Sequence, residues 1–180
     1  MDELLEQPTR RRVVEDVSGH PGTSAREIQH RLSLGWGDTA YQLDRLTKAG
    51  AIRRERGGRR DYYFASEITW EDRKILRALN SPTQQALLLA LAGSPSSSFA
   101  ELQGKTSVSK STVSFHLTVL LRQGTAETFQ SAGSRRYRAP RAERVRELLR
   151  VHRESFGSRI VDRFAESFGG LSDSGTEPEG

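Results

Sequence analysis

The sequence has 180 residues, a formal net charge of +5 and no cysteine, so disulfides, thiolate metal sites and cysteine nucleophiles are excluded. Its basic balance favours polyanionic partners, and a hydrophobic content of 34% is enough for one or two modest cores. Because no apolar run approaches the length of a membrane span and the acidic start is unlike a signal peptide, we expect a cytoplasmic protein without a membrane partner.

Three helices are predicted in the first part of the chain. Apolar residues at helical spacing predict the first helix over 9–18. A capping box, in which the Ser24 hydroxyl accepts from the Glu27 amide and the Glu27 carboxylate accepts from the Ser24 amide, begins a short second helix. The third helix is predicted over about 36–49, with Gly50 as its C-terminal cap.

A β-hairpin and a connecting helix are predicted next. Residues 51–56 and 59–64 have strand-type composition and flank the two glycines at 57–58, which predicts a two-residue turn. The helix that follows has an apolar side and ends at a break over 80–82. We expect it to fix one domain against the other, with Trp70 as a packing anchor.

The whole pattern recurs 74 positions further along the chain, without a gap. The recurring residues are Pro8, Thr9, Gly19, Pro21, Ser24, Glu27, Ser33, Leu43, Leu46, Gly50 and Tyr63, which return as Pro82, Thr83, Gly93, Pro95, Ser98, Glu101, Ser107, Leu117, Leu120, Gly124 and Tyr137. A long period that occurs only twice predicts paired globular domains rather than a solenoid. In the second copy the strands 125–130 and 134–138 flank a turn at 131–133. Three helices and a hairpin, present twice, predict two tandem winged helix-turn-helix domains in a mainly α-helical α+β fold.

Residues 109–124 of the second copy carry a family resemblance. Their sequence, SKSTVSFHLTVLLRQG, resembles the recognition-helix segment of ArsR- and MarR-type winged-helix transcription regulators, which follows roughly S-x-S-T-V-S-x-H-L-x-x-L-x-x-x-G. The first copy keeps the leucine spacing and the glycine but loses most of the serines and the histidine. The whole chain resembles the tandem winged-helix regulators of archaea. The resemblance implies double-stranded DNA as the partner and a structural role for His116.

The outward residues of the two third helices are the predicted groove contacts. Leucine spacing places Leu43 and Leu46, and likewise Leu117 and Leu120, on the inward faces. In helix-turn-helix proteins the outward N-terminal residues meet base edges in the major groove. The predicted contacts are Tyr41, Arg45 and Lys48 in the first copy, and Lys110, Ser111, Thr112, Ser114, Phe115 and Thr118 in the second. The alternative for the exposed aromatic residues is a protein interface or an ordinary surface.

The hairpins are the predicted phosphate contacts. Five arginines and one glutamate between 53 and 60 give a local charge of +4, and guanidinium groups suit phosphate oxygens. The predicted contacts are Arg53, Arg54, Arg56, Arg59 and Arg60 in the first wing and Arg135 and Arg136 in the second. The alternative is a solvated charged face. The aromatic residues Tyr62, Tyr63, Phe64 and Tyr137 are expected to pack beneath the wings.

An apolar helical stripe after residue 140 predicts a homodimer. The predicted interface residues are Leu148, Leu149, His152, Phe156, Ile160 and Phe164. A long amphipathic extension would otherwise expose its apolar stripe. The alternative is that the stripe folds back on its own domain.

Chemistry other than binding has little support in the sequence. The histidines are isolated, with no carboxylate at metal-ligand spacing, so we expect no enzyme activity, no metal and no cofactor.

The predicted divisions are 1–66 and 81–139 for the two domains, 67–80 for the connecting helix, 140–169 for the helical extension and 170–180 for a disordered tail.

The function predicted from these features is a DNA-binding transcriptional regulator at the nucleoid. The alternative is a protein-interaction or architectural chromatin module, such as the kleisin-binding subunit of bacterial condensin, which uses tandem winged helices to grip another chain. The sequence leaves the operator, the direction of regulation and any effector open.

Overall fold

The computed structural model of the protein describes residues 5–57 and 60–156. Within these residues the elements are, in chain order, α1 (Pro8–Gly19), α2 (Ala25–Leu32), α3 (Trp36–Lys48), β1 (Ile52–Arg56), β2 (Asp61–Ala65), α4 (Trp70–Leu79), α5 (Pro82–Ala92), α6 (Phe99–Gly104), α7 (Lys110–Gln123), β3 (Glu127–Ser131), β4 (Ser134–Arg138) and α8 (Ala142–Val151). The strands form two separate antiparallel hairpins. The predicted fold class, tandem winged helix-turn-helix domains, is confirmed. None of the helices described is long and apolar enough to cross a membrane.

The internal repeat of the sequence is also a repeat of structure. The paired features are the capping boxes Ser24–Glu27 and Ser98–Glu101, the left-handed glycines Gly50 and Gly124 after the third helix, and the strand bridges Thr23–Tyr63 and Ser97–Tyr137. Each bridge ties the segment before the second helix to the second wing strand. The wing therefore stands in the same place against the helices of both domains.

The first core lies among α1, α2, α3 and the first hairpin. Its buried residues are Val13, Val17, Ile28, Leu43, Leu46, Ile52 and Tyr63. At its edge the Asp16 carboxylate accepts two hydrogen bonds of 2.7 Å from the Arg31 guanidinium. Burial alone would raise the pKa of Asp16, but the hydrogen bonds from Arg31 and His20 outweigh it and hold that pKa below its usual value.

The second core takes in residues from outside the second repeat. Its larger buried side chains are Phe64, Ile75, Leu76, Leu79, Leu87, Leu88, Leu91, Leu102, Val113, Leu117, Leu120, Tyr137, Val145, Leu148 and Phe156. The segment predicted as a connecting helix supplies three of these residues through α4, and the first hairpin supplies Phe64. The connecting helix is thus part of the packing of the second domain.

The strand pairing of the first hairpin differs from the predicted one. The strand register pairs Arg56 with Asp61, and the Gly57 amide donates to the Arg60 carbonyl at 2.9 Å. A two-residue turn at 57–58 requires Arg56 to pair with residue 59, so that predicted turn is wrong. Glycine composition identified the loop, but the ladder of backbone hydrogen bonds sets its register.

The second hairpin has a shorter turn than predicted. Ser131 pairs with Ser134, so the turn consists of Ala132 and Gly133, with φ angles of 48° and 76°. Positive φ at both turn positions is the requirement of a type I′ turn, whose twist matches the strands. The predicted strand start at Thr125 is also wrong, because the Thr125 amide donates to a carbonyl at the end of α7.

The first hairpin lies between the two cores. Successive side chains of a strand point to opposite faces, so Tyr63 packs in the first core while its neighbour Phe64 packs in the second. On the Phe64 side, Arg73 of α4 forms an ion pair with Glu55 of β1. The wing of the first domain is therefore held on both faces at its base.

The break between α4 and α5 makes a further contact between the domains. The Asn80 side-chain amide donates hydrogen bonds of 3.1 Å to the carbonyl oxygens of Pro21 and Gly22. Gly22 has a φ of 77°, and a Cβ there would lie 2.4 Å from the Asn80 amide nitrogen. Glycine at this position thus permits both the backbone conformation and the close approach.

Trp70 is not the packing anchor that the sequence predicted. Its side chain is 53% exposed, and its ring lies beside the cationic groups of Arg73 and Lys74, at 5.5 and 5.1 Å from the ring centroid. The apolar residues of α4 point the other way, into the second core. Trp70 stands at the first position of the helix, outside that apolar stripe.

Helix α8 folds back on its own chain. It packs against α4 and α5, and Leu148 and Phe156 are only 5% and 4% exposed. The expectation that these two residues form a dimer interface is corrected accordingly, since the chain's own core already covers them. Leu149 packs at the margin of the same core. The predicted interface residues Ile160 and Phe164 and the predicted tail lie outside the described residues.

An ion pair joins α8 to α4. The Arg144 guanidinium donates to both oxygens of Asp72, at 2.9 and 2.6 Å. This bidentate hydrogen bonding holds the pKa of Asp72 below its usual value, although burial opposes the shift. The extension is thereby tied to the second domain by charge as well as by packing.

Candidate nucleic-acid interface

Helix α7 presents one buried and one exposed row of residues. Val113, Leu117 and Leu120 are buried in the second core, as the leucine spacing predicted. Lys110, Ser111, Ser114, Phe115 and Thr118 lie on the exposed side. Because the buried row fixes the rotation of the helix, the exposed row has a defined direction. That direction is what the groove-contacting face of a recognition helix requires.

Hydroxyl groups cluster at the start of α7. The Ser109 hydroxyl caps the helix by accepting from the Thr112 amide at 3.2 Å. It also lies 2.9 Å from the Ser111 hydroxyl and 2.8 Å from that of Thr112. A hydroxyl has one donor and two acceptor sites, so this cluster keeps hydrogen-bonding capacity for an outside group. Thr118 differs, because its hydroxyl donates to the Ser114 carbonyl within the helix.

Phe115 is the most exposed large apolar residue described, at 65%. Its ring meets the His116 ring edge to face, with centroids 5.2 Å apart. His116 itself is half-buried, and its Nδ1 lies 3.3 Å from the Gln84 amide of α5. Burial lowers the pKa of His116, which favours the neutral ring at neutral pH. These contacts agree with the structural role that the family resemblance implied.

The first domain makes the same helix-to-helix contact with other residue types. Arg10 of α1 donates to the Gln42 side chain of α3 at 3.0 Å. Arg10 and Gln42 stand 74 positions before Gln84 and His116. The polar link between the first and third helices is therefore part of the shared architecture, and the histidine is only one way to make it.

The exposed face of α3 is more aromatic and more acidic than that of α7. Tyr41 is 54% exposed, and Trp36 at the helix start is exposed as well, a residue that the sequence prediction did not single out. Its repeat counterpart is Lys110, which could have drawn attention to it. Arg45 is exposed, whereas Lys48 forms an ion pair with Asp44 at 2.7 Å.

The arginines of the first wing fall into two groups. Arg53 and Arg56 are exposed and have no ion pair among the described residues. Arg54 is paired with Asp61 at 2.6 Å, and Arg60 donates to the Tyr62 hydroxyl at 3.3 Å. Arg59 lies outside the described residues. The free positive charge of the wing thus rests on fewer side chains than the sequence suggested.

The second wing shows the same division. Arg135 is exposed without an ion pair among the residues described. Arg136 donates to the hydroxyl and carbonyl oxygens of Ser96, at 3.2 Å each, and lies 3.4 Å from Glu101. The predicted packing of Tyr137 beneath the wing is confirmed, since it is buried in the second core.

No cluster of three or more metal-ligating side chains occurs in the part of the chain that the structure describes. The exposed features near the two recognition helices are hydroxyls, arginines and aromatic rings. In protein–DNA complexes, groups of these types contact phosphates and base edges.

Comparisons with known proteins match each half of the chain separately. A family model described as an N-terminal HTH domain matches residues 7–76. The model of the bacterial regulatory proteins of the ArsR family matches residues 81–128. Among solved structures, the transcriptional repressor BigR from Xylella fastidiosa is similar, with 24% identity and a TM-score of 0.39 over 44% of this chain and 80% of that chain. No curated protein matches the chain significantly.

Proposed function

Because the chain is a tandem helix-turn-helix transcriptional regulator, we propose that it acts by placing α7 in the major groove of operator DNA. The observation that carries the proposal is the exposed row of α7, where hydroxyls and Phe115 project from a helix whose opposite side is buried. Hydroxyls serve as donors or acceptors to base edges, and an aromatic ring contacts the methyl group of thymine. The wing beside the helix would then reach the adjacent backbone.

In this proposal Arg53 and Arg56 contact phosphates without regard to sequence. Replacing both with glutamine should weaken binding to every duplex and flatten its salt dependence, because each lost phosphate contact removes about 0.9 from the slope of log K against log salt. Fluorescence anisotropy over a salt series on two unrelated duplexes measures this. Two arginines on the exposed side of the C-terminal segment, Arg150 and Arg153, provide a control with the same charge change. Equal slopes for both double variants would contradict the wing assignment.

We also propose that the regulator works as a homodimer on two half-sites, spaced about one helical turn of DNA or a multiple of it. The interface would exclude Leu148 and Phe156, which the chain's own core covers. The exposed Val151 on α8 and the margin residue Leu149 remain available to it. Light scattering at micromolar concentration should give twice the chain mass of 20.1 kDa. A monomer mass across that range would overturn the dimer.

The exposed face of α3 favours a second candidate function, a protein-interaction module in the first domain. Trp36 and Tyr41 are exposed on this helix, and the exposed Asp38 adds a negative charge that disfavours a nearby phosphate. Exposed aromatic residues are enriched at protein interfaces. Such a domain would recruit a protein while the second domain holds DNA. A cytoplasmic location at the nucleoid follows from either function and stays a prediction.

A further inference from the structure

A polar cleft lies between the two domains, where Val119 and Gln123 of α7 form part of its wall. Its volume is about 170 Å³. Arg60 and Tyr62 of the first wing line it together with Arg77 of α4, and Gln84 of α5 and Gln123 of α7 close the other side. The cleft thus lies beside the Asn80 contact between the domains, since Asn80 and Gly22 also line it.

Two guanidinium groups face the cleft around one aromatic ring. The Cζ atoms of Arg77 and Arg60 lie 4.7 and 5.6 Å from the centroid of the Tyr62 ring. Arg77 forms no ion pair with a carboxylate among the described residues. Two cations around one ring repel each other, and an anion between them relieves that repulsion. The Tyr62 ring holds the guanidinium planes in place before any ligand arrives.

The single carboxylate of the cleft does not neutralise the two arginines. One oxygen of Glu27 accepts from the Ser24 amide at 2.7 Å and lies 2.9 Å from the Ser24 hydroxyl. These neutral donors leave the carboxylate its one negative charge, which also acts on Arg60. Two guanidinium charges against this one carboxylate leave the cleft a positive balance. On the opposite wall the Gln123 side-chain oxygen is buried with no hydrogen-bond partner in the part of the chain described. A rotation of the Gln123 side-chain amide would present this acceptor to a donor group on a ligand in the cleft.

From this geometry we propose that the cleft is a binding site for a small oxyanion that also carries a hydroxyl group. Carboxylate or phosphoryl oxygens take bidentate hydrogen bonds from guanidinium groups. The hydroxyl donates to the Gln123 oxygen. Hydroxycarboxylates and phosphates both have this chemistry, so the two are separate arms of the test.

Occupancy of the cleft has a consequence that rests on the proposed function. The ligand engages Arg60 on the first wing and Gln123 on the recognition helix, so it binds two elements that also face DNA. An anion there cancels positive charge beside the duplex, and we expect it to weaken DNA binding. DNA would then weaken the binding of the anion by the same factor. Such coupling between two sites would make the anion an effector in the thermodynamic sense.

The test uses the full chain without DNA, with inorganic phosphate and malate as probes at ionic strength held constant with sodium chloride. Either probe should raise the thermal midpoint in a saturable way, as expected for a ligand that binds only the folded state. Arg77→Gln should weaken that binding at least tenfold. Ser81→Asp puts a negative charge into the same cleft at the N-cap of α5, where aspartate is a favoured residue, so it should abolish binding without loss of stability.

Arg150→Gln is the matched control, because this exposed arginine of α8 lies outside the cleft and outside the predicted DNA contacts. It should leave probe binding unchanged. No saturable effect of either probe on the wild-type chain would overturn the site, as would equal loss of binding in Arg150→Gln and Ser81→Asp. DNA binding measured without added anion tests the proposed function separately. If a bound anion left DNA affinity unchanged, the effector role would be wrong.

Discussion

Replacing Phe64 with alanine should lower the free energy of unfolding by about 3–5 kcal/mol, the usual cost of removing a buried phenyl ring. Phe64 has no exposed surface and belongs to the second core although it lies on the wing of the first domain. It also lies against Gly22, since a Cβ built on that glycine would approach the ring to 3.2 Å. The cavity would therefore open at the junction of the two domains.

Urea unfolding followed by circular dichroism measures this loss. Phe115→Ala is the matched control, because the same atoms are removed from a ring that is largely exposed, and it should change stability by no more than about 0.5 kcal/mol. Phe64→Leu keeps most of the apolar volume and should cost about 1.5 kcal/mol or less. Equal unfolding free energies for Phe64→Ala and the wild type would show that the wing does not pack into the second core.

Replacing Phe115 with alanine should reduce discrimination between operator and unrelated DNA by about tenfold to a hundredfold. A specific base contact is worth about 1–3 kcal/mol of discrimination, and Phe115 is the most exposed apolar group on α7. Binding to unrelated duplexes should hardly change, because phosphate contacts supply most of that affinity. Competition binding with operator and scrambled duplexes measures the ratio.

Ser111→Ala should act in the same direction through the loss of a hydroxyl at the start of α7. The Arg53 and Arg56 double variant is the contrasting control, since it should weaken both duplexes alike. A uniform loss of affinity in Phe115→Ala, with discrimination preserved, would contradict the placement of α7 in the groove. Phe64→Ala, assayed below its unfolding temperature, should retain discrimination.

Local signals in the sequence located most of the elements. The capping boxes at Ser24 and Ser98 form as predicted, because serine and glutamate at that spacing satisfy each other's backbone amides without help from the rest of the fold. Leucine spacing also predicted the rotation of α7, since a helix in contact with a core buries its apolar row. These features depend on neighbours within a few residues.

The position of Phe64 shows why the domain junction was harder to predict. Its repeat counterpart is Arg138, which is exposed and paired with Glu127. The two positions share one place in the repeat but have different surroundings, because Phe64 packs with the apolar residues of α4 in the second core. A pattern within one repeat does not contain that information.

The prediction that the C-terminal apolar stripe forms a dimer interface failed at Leu148 and Phe156, for a related reason. An amphipathic helix must cover its apolar side, but the stripe has the same appearance whether a second chain or its own domain covers it. The Arg144–Asp72 ion pair joins residues 72 positions apart, a pairing that spacing alone does not reveal. The predicted hairpin pairings failed because the backbone ladder, rather than composition, decides which residues pair.

The most direct test of the regulator function is selection from fragmented genomic DNA of the source organism. The purified full chain is mixed with the fragments at near-physiological salt, and the retained fragments are sequenced. Enrichment of a few promoter fragments that share a motif is the expected result, and it would name the operator at the same time. Retention without enrichment, or no retention, would contradict sequence-specific regulation.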